Sequence, residues 1–141
     1  MTKNIHEVFE ELEAAPHKEA AKAIILYNMT PGLRAVLRGN FHPDIKFVID
    51  EIPPYKENDA PIGLGDTSIH KEINRIYLFE QNNPRVHPNL TLERKKQILT
   101  QILEALEAKE AKVFSDMLMK KIKVKHLSKK LIEEVFPDMF S

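Results

Sequence analysis

A run of lysines near the carboxyl end of the chain is the feature whose residue types and spacing best suit a chemical role. Residues 117–132 contain six lysines, one histidine and no acidic residue. The basic residues of this run are Lys120, Lys121, Lys123, Lys125, His126, Lys129 and Lys130. Clustered ammonium groups without local carboxylates are the usual electrostatic footprint of nucleic-acid-binding proteins. The run therefore predicts a surface that binds a polyanion.

The charge of the chain is balanced overall but unevenly distributed. The whole sequence contains 21 Lys and Arg against 21 Asp and Glu. Residues 120–141 carry six basic and three acidic residues, so residues 1–119 carry an excess of three negative charges. The neutral total argues against a protein built only for tight non-specific binding, whereas the cationic end argues for a localised contact.

The lysine run has two interpretations that the sequence leaves open. Lysines at helix ends and in turns are often merely solvated, and those at residues 120–125 can oppose the negative carboxyl end of a preceding helix. Alternatively, the run forms a phosphate-binding surface that ends at Ser128, where the free N–H groups of a helix also attract anions. Arg34 and Arg38, at the end of the third predicted helix, are further candidates for that surface.

The last residues, VFPDMFS, also have two interpretations. They can be a final helical turn that packs Phe136 into the core, leaving residues 137–141 as a flexible tail. Alternatively, Phe136, Met139 and Phe140 bind a partner, because this segment is similar to the short tails by which phage replication and late-transcription proteins dock on a sliding clamp. Such peptides place aromatic anchors in a preformed pocket.

Composition and periodicity predict an all-α protein. The chain has 141 residues, 43% of them apolar, with four glycines and no cysteine, which suits one compact domain without disulfides. We expect a single bundle of about six or seven short helices spanning residues 1–141, with one long proline-rich surface loop at residues 53–67.

Individual helices are predicted from capping residues and apolar spacing. The first covers residues 5–14, and the third begins after Thr30 and stops at Gly39. The fourth runs from Thr67 or Ser68 to about residue 80. The longest starts at Thr91, and its predicted buried stripe consists of Leu92, Leu99, Ile102, Leu103 and Leu106. Residues 45–49 form either a brief extended segment or one helical turn.

No grouping of residues predicts catalysis. The six histidines lack metal-ligand spacing, no glycine-rich phosphate loop is present, and the acidic side chains near the amino end lie on the wet face of a helix. We therefore expect no enzyme activity, no metal and no cofactor. No apolar run approaches the length of a membrane span, so we expect no membrane association and a cytoplasmic location.

The chain resembles the helical DNA-binding domain at the amino terminus of ATP-dependent DNA ligases from T4-like bacteriophages. The most distinctive part is IKVKHLSKKLIEEVFPDMF, and the opening IHEVFEELEAAPHKEAAKAIILYN followed by LRAVLRGNF is also similar. The matching positions are Lys121 with Ile122, the turn at 123–127, the helix from Ser128, and Phe136 with Pro137. The resemblance implies that the turn contacts the minor groove of double-stranded DNA.

This sequence departs from the ligase pattern in two ways. The family's turn usually contains a glycine, whereas this turn contains lysines and His126 and is one residue longer. The nucleotidyltransferase domain is absent, and no lysine lies in the KxDG context that accepts AMP. The chain is also similar to a family of short proteins of unknown function from large tailed phages. These resemblances imply a non-catalytic DNA-binding accessory protein of a phage, located in the cytoplasm of an infected bacterial host. The alternative is an adaptor that docks on a sliding clamp, a polymerase or a transcription complex.

Overall fold

The computed structural model describes residues 3–61 and 64–141. All of the secondary-structure elements named in this part of the chain are helices. It contains seven α-helices and one 3₁₀ helix, which confirms the predicted all-α class. They are α1 (Ile5–Ala14), α2 (Lys18–Tyr27), α3 (Pro31–Phe41), α4 (Ile69–Glu72), the 3₁₀ helix (Ile73–Phe79), α5 (Leu92–Ala105), α6 (Ala108–Leu118) and α7 (Lys129–Val135). None of these helices has the length and apolar character needed to cross a membrane.

Side-chain caps place the starts of three helices where the sequence predicts them. The hydroxyl groups of Thr30, Thr91 and Ser128 each accept a hydrogen bond of 3.1 Å from the backbone N–H three residues later. Each bond satisfies one of the N–H groups that a helix start leaves without an intrahelical partner. The predicted boundaries of α3, α5 and α7 at their amino ends are therefore confirmed.

One apolar cluster contains side chains from every helix. Phe79 and Phe114 are fully buried and meet edge to face, with ring centroids 6.5 Å apart. The predicted stripe of α5 is buried at Leu99, Ile102 and Leu103 and continues at Leu106. Leu92 was predicted to belong to it but is 43% exposed, because the first turn of α5 extends beyond the core.

The predicted stop of α3 at Gly39 is wrong, because the helix continues to Phe41. Gly39 is buried where α3 lies against α6, and a Cβ atom there would come within 2.8 Å of Met117 Sδ. A larger residue here would displace the Met117 side chain, so this position favours glycine for the close approach of two helices.

The predicted fourth helix is divided into two kinds of helix. Residues after α4 adopt the 3₁₀ form up to Phe79, whose carbonyl accepts a 2.7 Å hydrogen bond from Val48 N–H. Gln81 N–H donates a matching bond of 2.7 Å to the Lys46 carbonyl. Residues 46–48 are therefore extended and pair with the chain that leaves the 3₁₀ helix, which resolves the two alternatives for this segment.

The described residues of the 53–67 loop contain no helix and cap the carboxyl end of α5. Asn58 Nδ2 donates to the Glu104 carbonyl over 3.1 Å, and Asp66 N–H donates to the Ala105 carbonyl over 3.0 Å. These carbonyls belong to the last turn of α5 and have no partner within the helix. The loop is thus fixed to the scaffold on both sides of Ile62 and Gly63, which lie outside the described residues.

Glu110 of α6 caps the first turn of α1. Its carboxylate accepts hydrogen bonds of 3.0 and 2.7 Å from the N–H groups of Ile5 and His6, and it lies 2.9 Å from His6 Nδ1. Glu110 is only 1% exposed. A buried carboxylate at a helix start satisfies free N–H groups and is stabilised by the positive end of the helix dipole.

Candidate nucleic-acid interface

The lysine segment, residues 120–130, begins with an unusual helix end. Lys120 has a φ of 53°, in the left-handed region that usually takes glycine. Its N–H donates to the Met117 carbonyl over 3.0 Å, and Lys121 N–H donates to the Asp116 carbonyl over 2.8 Å. This pair of bonds is the Schellman arrangement, which ends α6 abruptly and redirects the chain across the surface.

The backbone of the lysine segment is held by α1 and α3. Asn40 Oδ1 accepts a 3.1 Å hydrogen bond from Ile122 N–H, and Glu13 Oε1 accepts one of 2.9 Å from Lys125 N–H. Glu13 is exposed, so it also brings one negative charge to the turn. Because polar groups of two helices hold the segment, its path depends on the bundle rather than on its own secondary structure.

Burial alternates along the first half of the segment. Ile122 is 9% exposed and Val124 is half-buried against the core, whereas Lys121, Lys123 and Lys125 are exposed. Lysines alternate with apolar residues over 121–125. Because Ile122 and Val124 pack inward, the three lysines face the solvent. Among residues 3–61 and 64–141, no carboxylate lies within 4 Å of the Nζ atoms of these three lysines or of Lys130.

Three predicted contact residues of this segment have structural roles instead. Lys120 Nζ donates to the carbonyls of Gly39 and His42 over 2.9 and 3.0 Å, and burial lowers the pKa of this lysine. His126 Nε2 lies 3.0 Å from the Ala15 carbonyl, inside the turn. Ser128 uses its hydroxyl to cap α7, as described above. Lys120 caps the carboxyl end of α3, and the side chains of Lys120, His126 and Ser128 are all engaged within the fold, so we do not include them among the proposed phosphate contacts.

Lys129 is intermediate between the exposed lysines that have no described carboxylate partner and the residues whose side chains have structural roles. Its Nζ lies 3.7 Å from Glu133 Oε1 and 5.7 Å from the centroid of the Phe140 ring. The ion pair is exposed and the cation–π contact is long, so each interaction is weak. Lys129 therefore retains most of its attraction for an external anion.

Arg34 and Arg38 line a different feature, which we call the arginine cleft. It lies between α3 and the 3₁₀ helix and has a volume of about 390 Å³. Arg85 also lines it, and its guanidinium carbon lies 4.2 Å from the centroid of the Tyr77 ring. The sequence reasoning missed Arg85, whose only signal is a lone arginine in the proline-broken connection NNPRVHPN.

The carboxyl-terminal residues are packed rather than free. Met139 is fully buried, and its carbonyl accepts a hydrogen bond from Arg38 Nη1. Phe140 meets His42 edge to face at 6.2 Å, and Phe136 is half-buried against the core. Residues 137–141 therefore do not form the flexible tail that we predicted. The three aromatic and methionine anchors predicted for a partner are occupied within the fold.

The most buried titratable grouping outside these surfaces joins His6, Glu107 and Glu110. His6 Nδ1 lies 3.4 Å from Glu107 Oε1 in addition to its contact with Glu110. The structure therefore uses these groups to join α1 to α6. Across the described residues, no group of three or more histidine and acidic side chains is placed to hold a metal ion.

Comparison with curated proteins and with solved structures gave no significant match. One family model matches residues 8–127, from the first turn of α1 through the lysine-rich turn and ending before α7. The matched region covers far more than half of the chain. The protein therefore belongs to the family of unknown function DUF6433.

Proposed function

We propose that this protein is a non-catalytic DNA-binding accessory protein that contacts the phosphates of double-stranded DNA through Lys121, Lys123, Lys125 and Lys130, with Lys129 in support. The observation that carries the proposal is the alternating burial around Ile122 and Val124. It leaves three consecutive outward lysines without described carboxylate partners. Such a row of unneutralised cations attracts a regular polyanion.

The arrangement suits phosphate contacts better than base reading. Lysine ammonium groups are compact point charges on flexible stems and lack the planar fork that recognises a base edge in two places. Contacts of this kind fix the position of a protein on a duplex and carry little sequence information. We therefore expect slight sequence preference and a steep dependence of affinity on salt.

The fixed backbone lowers the cost of binding. The hydrogen bonds that the Ile122 and Lys125 N–H groups donate to Asn40 and Glu13 order the turn before any ligand arrives. Association then orders only the lysine side chains, each at an entropy cost of about 0.5–1.5 kcal/mol. The resemblance of residues 121–137 to the last element of the ligase DNA-binding domain supports the same surface. In this chain, lysine side chains take over from close backbone approach at a glycine.

The first experiment measures binding to a fluorescein-labelled 20-base-pair duplex by anisotropy as the salt concentration increases. With about four phosphate contacts, the logarithm of the association constant should fall with the logarithm of salt at a slope of about −3.6. Changing Lys121, Lys123 and Lys125 together to glutamate should weaken binding about a hundredfold at low salt, because three attractions become repulsions.

A matched variant controls for the change in net charge. Lys56, Lys71 and Lys95 lie away from the lysine segment, and no carboxylate within the described residues lies within 4 Å of their Nζ atoms. Changing these three to glutamate alters the net charge equally and should reduce affinity only a few-fold. The proposal fails if the wild-type protein does not bind at low salt, or if the two triple variants lose affinity equally.

A further inference from the structure

The arginine cleft has the volume, the apolar lining and the surrounding charge that are typical of a binding site. Its volume of about 390 Å³ lies within the usual range of ligand pockets. The apolar part of its lining consists mainly of Ala35, Ile45, Phe47, Ile73 and Ile76. Arg34, Arg38 and Arg85 surround this apolar lining, so the cleft offers apolar burial and positive charge together.

The cleft is selectively enriched in arginine. The sequence has five arginines and sixteen lysines, yet three arginines and no lysine line the cleft. Glu80 supplies the single carboxylate of the lining, and no described carboxylate lies within 4 Å of the three guanidinium groups. By contrast, Arg75 outside the cleft pairs with Glu72 at 2.7 Å. The three guanidinium groups outnumber the one carboxylate of the lining, so the cleft keeps a net positive charge that attracts an added anion.

Two of the three guanidinium groups are already oriented. Arg85 is stacked on Tyr77, and Arg38 donates to the Met139 carbonyl. Arg34 lies one helical turn before Arg38 on the same face of α3 and remains exposed. A planar guanidinium held in position can bind a carboxylate through two parallel hydrogen bonds, which a lysine cannot do.

The apolar lining indicates what accompanies the anion. Besides the arginines, the polar side chains of the lining are those of Asn74, Tyr77 and Glu80, which offer few partners for the donors and acceptors on the edges of a nucleobase. Burying those edges without partners would be unfavourable. An aliphatic or aromatic side chain has no such requirement, so the lining favours a peptide over a nucleotide.

We propose that the arginine cleft binds an acidic segment of a partner protein. One apolar side chain of that segment packs on the isoleucines, and neighbouring carboxylates pair with Arg34, Arg38 and Arg85. Acidic recognition by arginine clusters beside an apolar pocket is a recurring mode of peptide binding. This inference is independent of DNA binding, and it makes the protein the receptor for a partner segment rather than the donor of a tail.

The test selects peptides from a displayed library of random twelve-residue sequences on the immobilised full chain. Counter-selection uses the variant in which Arg34 and Arg85 are both changed to glutamate. Arg38 is left intact because it also holds the Met139 carbonyl. We expect enrichment of peptides with at least two acidic residues beside an apolar one, and the best of them, made synthetically, should bind the wild-type protein in calorimetry.

Matched variants distinguish the cleft from general charge. Changing Arg34 and Arg85 to glutamine should weaken the selected peptide at least about tenfold, since two charge-assisted pairs are lost. Changing Arg94 and Lys95, which do not line the cleft, to glutamine removes the same two positive charges and should leave its affinity unchanged. Ala35→Glu adds bulk and a carboxylate inside the cleft without altering an arginine, and it should abolish binding.

Other outcomes overturn the proposal. Failure to enrich peptides over the counter-selection would do so, and so would enriched sequences without acidic residues. Displacement of the selected peptide by an oligothymidine strand, but not by its own acidic-to-amide version, would assign the cleft to nucleic acid instead. Loss of duplex binding in the lysine variants has no bearing on this result, so the two proposals fail separately.

Discussion

The lysine segment and the arginine cleft are both cationic, but they present their charges in opposite ways. In the lysine segment, neighbouring helices fix the backbone, whereas the ammonium groups of Lys121, Lys123, Lys125 and Lys130 lie at the surface without a described carboxylate partner. In the arginine cleft, two guanidinium groups are fixed by Tyr77 and the Met139 carbonyl beside a concave apolar lining. The first arrangement suits a uniform polyanion, and the second suits a ligand of defined shape. The sign of a charged surface therefore says less about its ligand than the way the charges are held.

Lys120 stands between these two regions and belongs to neither as a binding residue. Its Nζ bonds the Gly39 carbonyl at the edge of the cleft and lies 5.9 Å from the centroid of the Phe47 ring. Its backbone begins the lysine segment. This residue therefore sets the relative position of the two surfaces.

The largest expected effect comes from the last turn of the chain, which supports both regions. Met139→Ala should lower the free energy of unfolding by about 3 kcal/mol, because it leaves a cavity at a fully buried site. Urea denaturation measures this change, and Asp138→Ala, at an exposed neighbour, should alter stability by less than about 0.5 kcal/mol. If Met139→Ala left stability unchanged, this would contradict the packing of residues 137–141 and favour a free docking tail.

The next effect is a reciprocal loss of two activities. The triple glutamate variant of Lys121, Lys123 and Lys125 should lose about a hundredfold in duplex affinity and no more than about threefold in affinity for the selected acidic peptide. The glutamine variant of Arg34 and Arg85 should show the reverse pattern. Anisotropy and calorimetry on the same protein samples measure both. Parallel losses in both assays would mean that the two regions form one surface.

A smaller effect separates structural from binding lysines. Lys120→Met removes the donor to two carbonyls at the end of α3, and it should lower the free energy of unfolding by about 1–2 kcal/mol. Lys123→Met should leave stability nearly unchanged but reduce the magnitude of the salt slope by about 0.9. Lys120→Gly should be less destabilised than Lys120→Met, because glycine suits the left-handed backbone. If Lys120→Met and Lys123→Met proved equally stable, the hydrogen bonds of Lys120 would not contribute to the stability of the fold.

The smallest effect concerns lysines that are neutralised. Hydrogen bonding and charge from Lys18, and then from Lys22, lower the pKa of the exposed Glu134 carboxyl below its ordinary value. This contribution to stability is present above the unfolded pKa and is lost as the pH falls through the lower folded pKa. NMR titration of the carboxyl should show its pKa rising again in the Lys18→Gln and Lys22→Gln double variant. An unchanged titration would contradict the pairing.

Much of the fold can be predicted from the sequence because the signals are local. Thr30, Thr91 and Ser128 mark helix starts by their own side chains. Gly39 misleads because glycine serves both at helix ends and at close helix contacts. Only the position of Met117 on another helix decides between these roles. α3 itself ends at Phe41, and a left-handed helix end occurs instead after α6 at Lys120, a residue type that seldom adopts that conformation.

The candidate site is less predictable because side-chain directions depend on distant partners. The lysine run is visible as composition, but Asn40, Glu13 and Ala15 decide which members face outward. The arginine cleft joins residues from α3 with Arg85, about fifty positions later, and no pattern in either segment indicates the other. Met139 lies between the exposed Asp138 and the half-buried Phe140, outside any helix, so no local periodicity indicates its burial, which depends on contacts beyond the local sequence.

The position of Glu110 has a consequence for the order in which the protein acquires its structure. The N–H groups at the start of α1 find their acceptor 105 and 104 residues further along the chain. During synthesis, the first helix emerges from the ribosome long before that carboxylate is made. Until α6 emerges, the amino end of α1 has the local bond from Asn4 N–H to the Glu7 carboxylate but not the cap from Glu110, and contacts of such high sequence separation form slowly. A fragment that ends before residue 110 should therefore fray more at the first turn of α1, which reaches its full stability only after α6 has formed.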